Sequence, residues 1–171
     1  LTKMHPEQVF VHTTFLGGGF GRRAELDAPD IAVRASMAVG KPVKLIYTRE
    51  ATFARGALRP GAKCRFKAIL GKDRIERMEI TVAAQSLTER YLPRFIASTK
   101  AGMMVTAEGL ADGPYAFPSI EVRYGRVDLP ITIGSWRSVA GSFNGFFREC
   151  FLDECAIALK KDPVQLRREQ I

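Results

Sequence analysis

The chain has 171 residues, of which 46% are hydrophobic and 26% are charged, and its formal net charge is +8. This is the composition of a globular protein, so wholesale disorder is excluded, and no apolar run approaches the roughly 18 residues that a membrane-spanning helix needs. The basic residues are spread along the chain, so we expect no nucleic-acid-binding surface, whereas small anionic groups such as phosphates remain open as ligands.

The first predicted element is a strand that leads into a glycine-rich turn. Residues 8–15 are rich in β-branched and aromatic types, which favours a strand. Four glycines follow within Gly17–Gly21, and glycine allows another group to approach the backbone closely. Arg22 and Arg23 close the turn. We expect a second group to contact this backbone, although a plain bend between two elements also explains the glycines.

A helix, a second strand and a loop are predicted next. Asp27 is the predicted N-cap of the helix, Pro29 lies in its first turn, and Gly40 ends it. Val43–Thr48 has the composition of a strand. Residues 51–63 contain Gly56, Pro60 and Gly61 and are predicted to form a loop.

A β-hairpin is the next predicted element. Cys64–Leu70 alternates apolar and basic residues, Gly71–Asp73 forms the turn, and Arg74–Ala84 forms the second strand. The alternation slips between Ile75 and Met78, which indicates a β-bulge.

The following segment, residues 86–118, has the weakest pattern of the chain. Short helical turns are expected at Tyr91–Phe95 and Gly102–Leu110, and an irregular segment is expected at Gly113–Pro118. Glu121–Asp128 alternates again and is predicted to be a strand.

A second loop of small residues and two helices complete the chain. The loop, Gly134–Gly141, contains the only tryptophan, Trp136. A helix is predicted from Ser142 to about Lys160, and a last helix begins at Asp162 with Gln165 as its capping-box residue. The order of elements predicts one α+β domain over residues 1–171, with a mixed sheet and packed helices.

The residues best suited to binding a ligand lie in the two small-residue loops. Each is predicted to follow a strand, and each carries arginine, namely Arg22 and Arg23 in the first and Arg137 in the second. Backbone N–H groups and guanidinium groups bind anions well, so the pair of loops predicts a clamp for a phosphorylated cofactor. The three cysteines, Cys64, Cys150 and Cys155, match neither a zinc-site nor a disulfide pattern.

A dinucleotide-binding fold is the first alternative. Gly19, Gly21 and Ala24 satisfy its glycine fingerprint as a bare pattern. However, the predicted helix starts late, at Asp27, and Glu50 lies beyond the ~20 residues at which the ribose-binding acid usually follows.

Five segments, taken in order, resemble the molybdopterin-binding large subunit of the xanthine oxidase superfamily, and within it the branch of isoquinoline 1-oxidoreductase β-subunits and cytochrome-linked aldehyde dehydrogenases. They are Phe15–Arg23, Lys41–Glu50, Glu108–Tyr115, Gly134–Val139 and Phe147–Glu154. The resemblance implies that the chain is part of a molybdenum cofactor-binding domain and a fragment of a longer subunit.

The resemblance also implies an oxidoreductase of the molybdenum hydroxylase type. Such an enzyme holds molybdenum on a molybdopterin, often as its cytosine dinucleotide, and oxidises an aldehyde or an N-heterocycle with water as the oxygen source. Iron–sulfur clusters would lie in a small partner subunit, and a cytochrome c is a suitable electron acceptor. The resemblance favours the bacterial periplasm over the cytoplasm.

The residues that match the family's cofactor-binding motifs are Gly18, Gly19, Phe20, Gly21, Arg22, Trp136 and Arg137. No metal ligand is expected in this chain, and the family's general-base glutamate is expected beyond Ile171, so this piece alone should be inactive. Ala24 and Thr106 replace the glutamate and arginine of xanthine-type members, so a purine substrate is not supported. A non-catalytic binding or assembly module of the same fold is the second alternative.

Overall fold

A computed structural model describes residues 3–91 and 105–171 of the chain. The chain divides into two compact units, which are Leu1–Leu58 with Gly134–Trp136, here called the loop unit, and Arg59–Ile133 with Arg137–Ile171, here called the sheet unit. The expectation of a single domain over residues 1–171 stays a prediction.

The loop unit contains two α-helices, α1 (Asp27–Val39) and α2 (Arg49–Arg55), and 3₁₀ turns at Pro6–Gln8 and Arg22–Ala24. Helix α1 ends at Gly40 in the left-handed conformation, with φ of 65°, as predicted. Its predicted cap is wrong. Leu26 occupies the N-cap position without a side-chain cap, and the carboxylate of Asp27 is bound by Arg22 instead.

Both strands predicted in this unit are wrong. Residues 9–16 and 42–48 have no β-ladder, although Val9 and Thr48 have extended backbone angles. A strand needs a ladder partner as well as a suitable composition, and the described residues of the unit supply none. The β-branched and aromatic side chains that suggested the first strand, such as Val11 and Phe15, are exposed.

The loop predicted over residues 51–63 is also partly wrong, because α2 occupies its first residues. Thr48 is the N-cap, and its hydroxyl oxygen accepts a hydrogen bond of 3.2 Å from the backbone N–H of Ala51. The residue taken as the end of a strand therefore starts a helix.

The sheet unit contains the predicted hairpin and a mixed sheet. Strands β1 (Ala62–Leu70) and β2 (Ile75–Ala84) are antiparallel, and β3 (Ser119–Arg126) lies parallel to β2, in the order β1-β2-β3. The predicted bulge is confirmed, because Ile69 pairs with Arg77 and Leu70 pairs with Ile75, which leaves Glu76 without an opposite residue.

The described part of the sheet unit also contains the helices α3 (Leu87–Tyr91), α4 (Gly141–Leu159) and α5 (Pro163–Glu169). Asp162 caps α5 as predicted, since its carboxylate accepts a hydrogen bond of 2.9 Å from the N–H of Gln165. The capping box itself is wrong, because the Gln165 side chain donates to Glu169 one turn further on.

The structure describes only part of residues 86–118, the segment with the weakest sequence pattern. Residues 113–118 have no regular structure, as predicted, and residues 105–110 form a short helical piece and a turn. The remainder of the helical turns predicted at Tyr91–Phe95 and Gly102–Leu110 falls on residues 92–104, outside the described residues.

The core of the sheet unit lies between one face of the sheet and helices α4 and α5. Its members share near-complete burial; they are Ile75, Met78, Ile80, Val82, Leu110, Leu152, Cys155, Ala156 and Leu166. Each large apolar side chain buried there contributes about 1.5–3 kcal/mol. The Phe66 ring on β1 stacks on Phe151 of α4 with centroids 4.9 Å apart, which attaches the long helix to the sheet edge. Among the described helices, none has the length and apolarity to cross a bilayer.

Candidate functional site

The glycine turn of the loop unit has an unusual backbone. Phe20 and Gly21 both have positive φ, at 50° and 81°. The Phe20 ring folds back over Gly18, where a Cβ would lie 2.7 Å from the ring atom Cε2, so a side chain at Gly18 would displace the ring. Phe20 remains 60% exposed. The turn thus presents an aromatic ring and open backbone on its surface.

Gly21 brings the two predicted loops together. A Cβ at Gly21 would lie 2.6 Å from the carbonyl oxygen of Ser135 and 3.0 Å from the backbone nitrogen of Trp136. No side chain fits at this distance, so the absence of a Cβ allows the two backbones to touch. The group predicted to approach the glycine turn includes Ser135 and Trp136 of the second loop, which lie in the same unit as the turn.

Arg22 has a partner that the sequence reasoning missed. Its guanidinium makes two hydrogen bonds to the Asp27 carboxylate, at 2.9 and 2.8 Å. The bond from Arg22 holds the pKa of Asp27 below its ordinary value, and the same bond raises the pKa of Arg22. The pair engages Nη1 and Nη2 of Arg22 and both carboxylate oxygens of Asp27, whereas the buried Nε of Arg22 has no hydrogen-bond partner among the described residues. Arg22 as a direct cofactor ligand stays a prediction, and Arg23, beside it, is exposed.

The second loop presents Trp136 and Arg137. The N–H of Gly134 donates to the carbonyl of Leu58 at 2.8 Å, which fixes the start of the loop in the loop unit. Trp136 is 47% exposed, and its indole offers a flat apolar surface for a planar heterocycle. Arg137, in the sheet unit, is exposed, and the structure gives its guanidinium no ion pair within residues 3–91 and 105–171.

The backbone after Arg137 is strained. Ser138 and Val139 have φ of 67° and 41°, a region that side chains, and β-branched ones above all, rarely adopt. Each residue in this conformation lowers the stability of the fold by about 1–3 kcal/mol, and it persists only where surrounding contacts hold it. The guanidinium of Arg59 donates to the carbonyls of Val139 and Arg137 at 2.8 and 3.0 Å, and the Ser142 hydroxyl donates to the carbonyl of Val139 at 3.1 Å. The two charge-assisted hydrogen bonds from Arg59 contribute about 1.5–3 kcal/mol each, enough to offset the strain.

The segment Glu108–Tyr115 is fixed on helix α4 in the sheet unit. The side-chain amide of Asn144, fully buried, donates to the carbonyls of Thr106 and Glu108 at 2.7 and 3.0 Å. Arg148 donates to the carbonyl of Gly109. A Cβ at Gly113 would lie 2.5 Å from the Arg148 Nη1, so the arginine occupies the space that a side chain there would need.

Glu149 connects the same segment to the last helix. Its carboxylate accepts hydrogen bonds from Tyr115 at 3.0 Å, from Arg148 at 3.0 Å and from Arg167 at 2.8 Å. Burial raises the pKa of Glu149, but the bonds from Arg167, Arg148 and Tyr115 outweigh it and leave the pKa below its ordinary value. Glu149 is therefore a structural anion that joins three segments.

Glu108 and the two positions at which the chain departs from xanthine-type members, Ala24 and Thr106, differ in their surroundings. The Glu108 carboxylate lies beside the start of α4, about 4 Å from the place of a Cβ on Gly141. Thr106 is buried, whereas Ala24 is exposed. Within residues 3–91 and 105–171, no group of three or more His, Cys, Asp or Glu side chains could hold a metal ion.

Comparison with known proteins identifies the family. The family model described as the molybdopterin cofactor-binding domain matches residues 1–171. The chain is 36% identical over 169 residues to a membrane-bound aldehyde dehydrogenase (pyrroloquinoline-quinone) of Gluconacetobacter polyoxogenes, covering 95% of the chain and 22% of that protein. It is 31% identical over 169 residues to the isoquinoline 1-oxidoreductase subunit beta of Brevundimonas diminuta, covering 95% of the chain and 21% of the relative.

The fold also matches part of an enzyme of known structure. The structure matches quinoline 2-oxidoreductase from Pseudomonas putida 86 with a TM-score of 0.71 and 24% identity, over 91% of this chain and 20% of that one. This chain thus spans about a fifth of the length of these relatives.

Proposed function

Because the chain belongs to the molybdopterin cofactor-binding domain family, we propose that it is part of the large subunit of a molybdenum hydroxylase. The proposed reaction is the oxidation of an aldehyde or an N-heterocycle, with water as the source of the oxygen atom. The observation that carries the proposal within the chain is the contact of Gly21 with Ser135 and Trp136, which joins the glycine turn to the second loop.

The residues of this contact fit a molybdopterin. The turn offers open backbone at Gly17, where a Cβ would meet no atom within 4 Å. Phe20 and Trp136 present half-exposed rings of the kind that pack on a flat heterocycle. In the loop unit, Gly18, Gly19, Phe20, Gly21 and Trp136 would hold the pterin. In the sheet unit, the exposed guanidinium of Arg137 would bind a phosphate.

The family's cofactor supplies the two-electron oxidation: a C–H bond of the substrate becomes C–OH, the oxygen comes from water, and two electrons and two protons leave. The chain's own residues would bind the cofactor and orient it. Backbone N–H groups of the glycine turn would donate hydrogen bonds to the bound cofactor, and the indole of Trp136 would exclude water from one face of it. The pair of Arg22 and Asp27 braces the turn against the start of α1. The general base is proposed, from the family resemblance, to be a glutamate beyond Ile171.

Several finer features belong to the same proposal. The cofactor is proposed to be the cytosine dinucleotide form, and electrons to leave through iron–sulfur clusters of a small partner subunit towards an acceptor such as a cytochrome c. The name of the Brevundimonas relative marks it as one subunit of an assembly, which supports a partner. The proposed compartment is the bacterial periplasm.

Elemental analysis of the full-length subunit, purified with its partner from molybdate-replete cells, tests the proposal. We expect about one molybdenum per polypeptide, and a substantial loss in the variant Arg137→Met because the phosphate loses its cation. Arg74→Met, at the hairpin turn, is the control and should keep its metal. The name of the Gluconacetobacter relative mentions a quinone, so extracted pyrroloquinoline-quinone is measured in parallel. A metal-free wild type would refute the enzyme and favour a non-catalytic module.

A further inference from the structure

The backbone that follows Arg137 adopts a conformation that its residues do not favour. Ser138 and Val139 are consecutive, and both have positive φ, 67° and 41°. Residues in this region persist when surrounding contacts determine them, and they occur most often at functional sites. The contacts that determine this loop therefore also determine where Arg137 stands.

Arg59 makes the contacts on both sides of Ser138. One guanidinium nitrogen donates to the carbonyl of Val139 at 2.8 Å, and the other donates to the carbonyl of Arg137 at 3.0 Å. The guanidinium is planar and rigid, so it fixes the spacing of the two carbonyls. A lysine ammonium is a single point charge on a flexible stem and does not reproduce this fork.

We propose that Arg59 is a positioning residue for cofactor binding. It lies 78 residues from Arg137 in the chain but in the same unit, where it is half-buried against the loop. By holding the Arg137 carbonyl, it fixes the backbone from which the exposed Arg137 side chain would bind an anionic group of the cofactor. This inference rests on the proposed function, because it assumes that Arg137 binds that cofactor.

The test uses the full-length subunit as wild type, Arg59→Lys and Arg59→Ala. The matched control is Arg74→Lys, which alters an exposed arginine paired with Glu76. Hydrogen–deuterium exchange of the peptide covering residues 134–141 measures the loop, and molybdenum per polypeptide after extended dialysis measures cofactor retention. For Arg59→Lys we expect the hydrogen exchange of the loop to be at least about tenfold faster than in wild type. We also expect molybdenum to be lost about 10- to 100-fold faster, because changes to residues that orient a metal site typically lower the metal affinity by this factor. Guanidinium ion added to Arg59→Ala should slow that loss.

The outcomes separate the possible failures. Wild-type exchange in Arg59→Lys would overturn the proposal. Faster exchange with wild-type molybdenum retention would also overturn it, because Arg59 would then hold the loop without serving the cofactor. A wild type that contains no molybdenum would refute the proposed function itself, and the exchange of the loop would still decide whether Arg59 orders it. If Arg59→Lys fails to fold, guanidinium rescue of Arg59→Ala decides.

Discussion

Replacement of Gly21 by alanine tests the contact between the two loops. Gly21 has φ of 81°, and the left-handed region costs an alanine about 1–2 kcal/mol relative to glycine. The new Cβ would also lie 2.6 Å from the Ser135 oxygen and 2.7 Å from its carbonyl carbon, so backbone has to move, at about 1–3 kcal/mol. We expect the free energy of unfolding to fall by about 2–5 kcal/mol from these two effects together.

Urea unfolding of the 171-residue chain by itself, followed by tryptophan fluorescence, is a suited measurement, because Trp136 is the only tryptophan among these 171 residues and adjoins the contact. With a slope of about 2 kcal/mol per molar urea, the midpoint should fall by roughly 1–2.5 M. The matched control is Gly17→Ala, where a Cβ meets no atom within 4 Å and φ is not positive. The control should be neutral or stabilising by up to about 1 kcal/mol. Equal midpoints for the two variants would refute the contact.

Three further predictions concern the sheet unit. Gly113→Ala should destabilise the protein by about 1–3 kcal/mol in urea because its Cβ meets a bound arginine, whereas Gly125→Ala, with open space, should not. The carboxylate of Glu149 has a lowered pKa, so its contribution to stability is present above the unfolded pKa of about 4.3 and is lost as the pH falls towards the folded value. Melting temperatures at pH 7 and pH 4 should therefore differ less in Glu149→Gln than in wild type, and an equal difference would contradict this role. Iodoacetamide at pH 8 should alkylate the exposed Cys150 at least about tenfold faster than Cys64, whose pKa burial raises to about 11, as peptide mass spectrometry would reveal.

Sequence predicted the sheet unit well because its signals are local. The hairpin follows from alternation and a short turn, and the bulge follows from the slip between Ile75 and Met78. The Asp162 cap needs only three residues of sequence. Helix α4 follows from its long apolar pattern.

Prediction failed where a feature depends on a distant or missing partner. Residues 8–15 have strand composition, but no ladder partner exists for them within the described chain. Arg22 and Asp27 were each given a separate role, whereas the 3₁₀ turn between them brings the two charges together. The local signal for this pair is two opposite charges five residues apart that span the 3₁₀ turn.

In the candidate site, the sequence indicates that another group approaches the glycine turn. It does not indicate that Arg59 holds the second loop in place. Clustered glycines indicated a close approach, and Gly21 has one. Arg59 carries no local signal, because the carbonyls that it binds lie 78 and 80 residues away. The roles of Phe20, Trp136 and Arg137 towards a cofactor stay predictions.

The contact of residues 108–115 with helix α4 has a consequence for exchanging parts between related subunits. Gly113 and Arg148 share one space, and Glu149 bonds both Tyr115 and Arg167. A chimaera with its crossover between Tyr115 and Arg148 would combine halves that were never fitted to each other. A crossover placed within the β1–β2 turn keeps these partners on one parental sequence, so the contact between residues 108–115 and helix α4 stays matched.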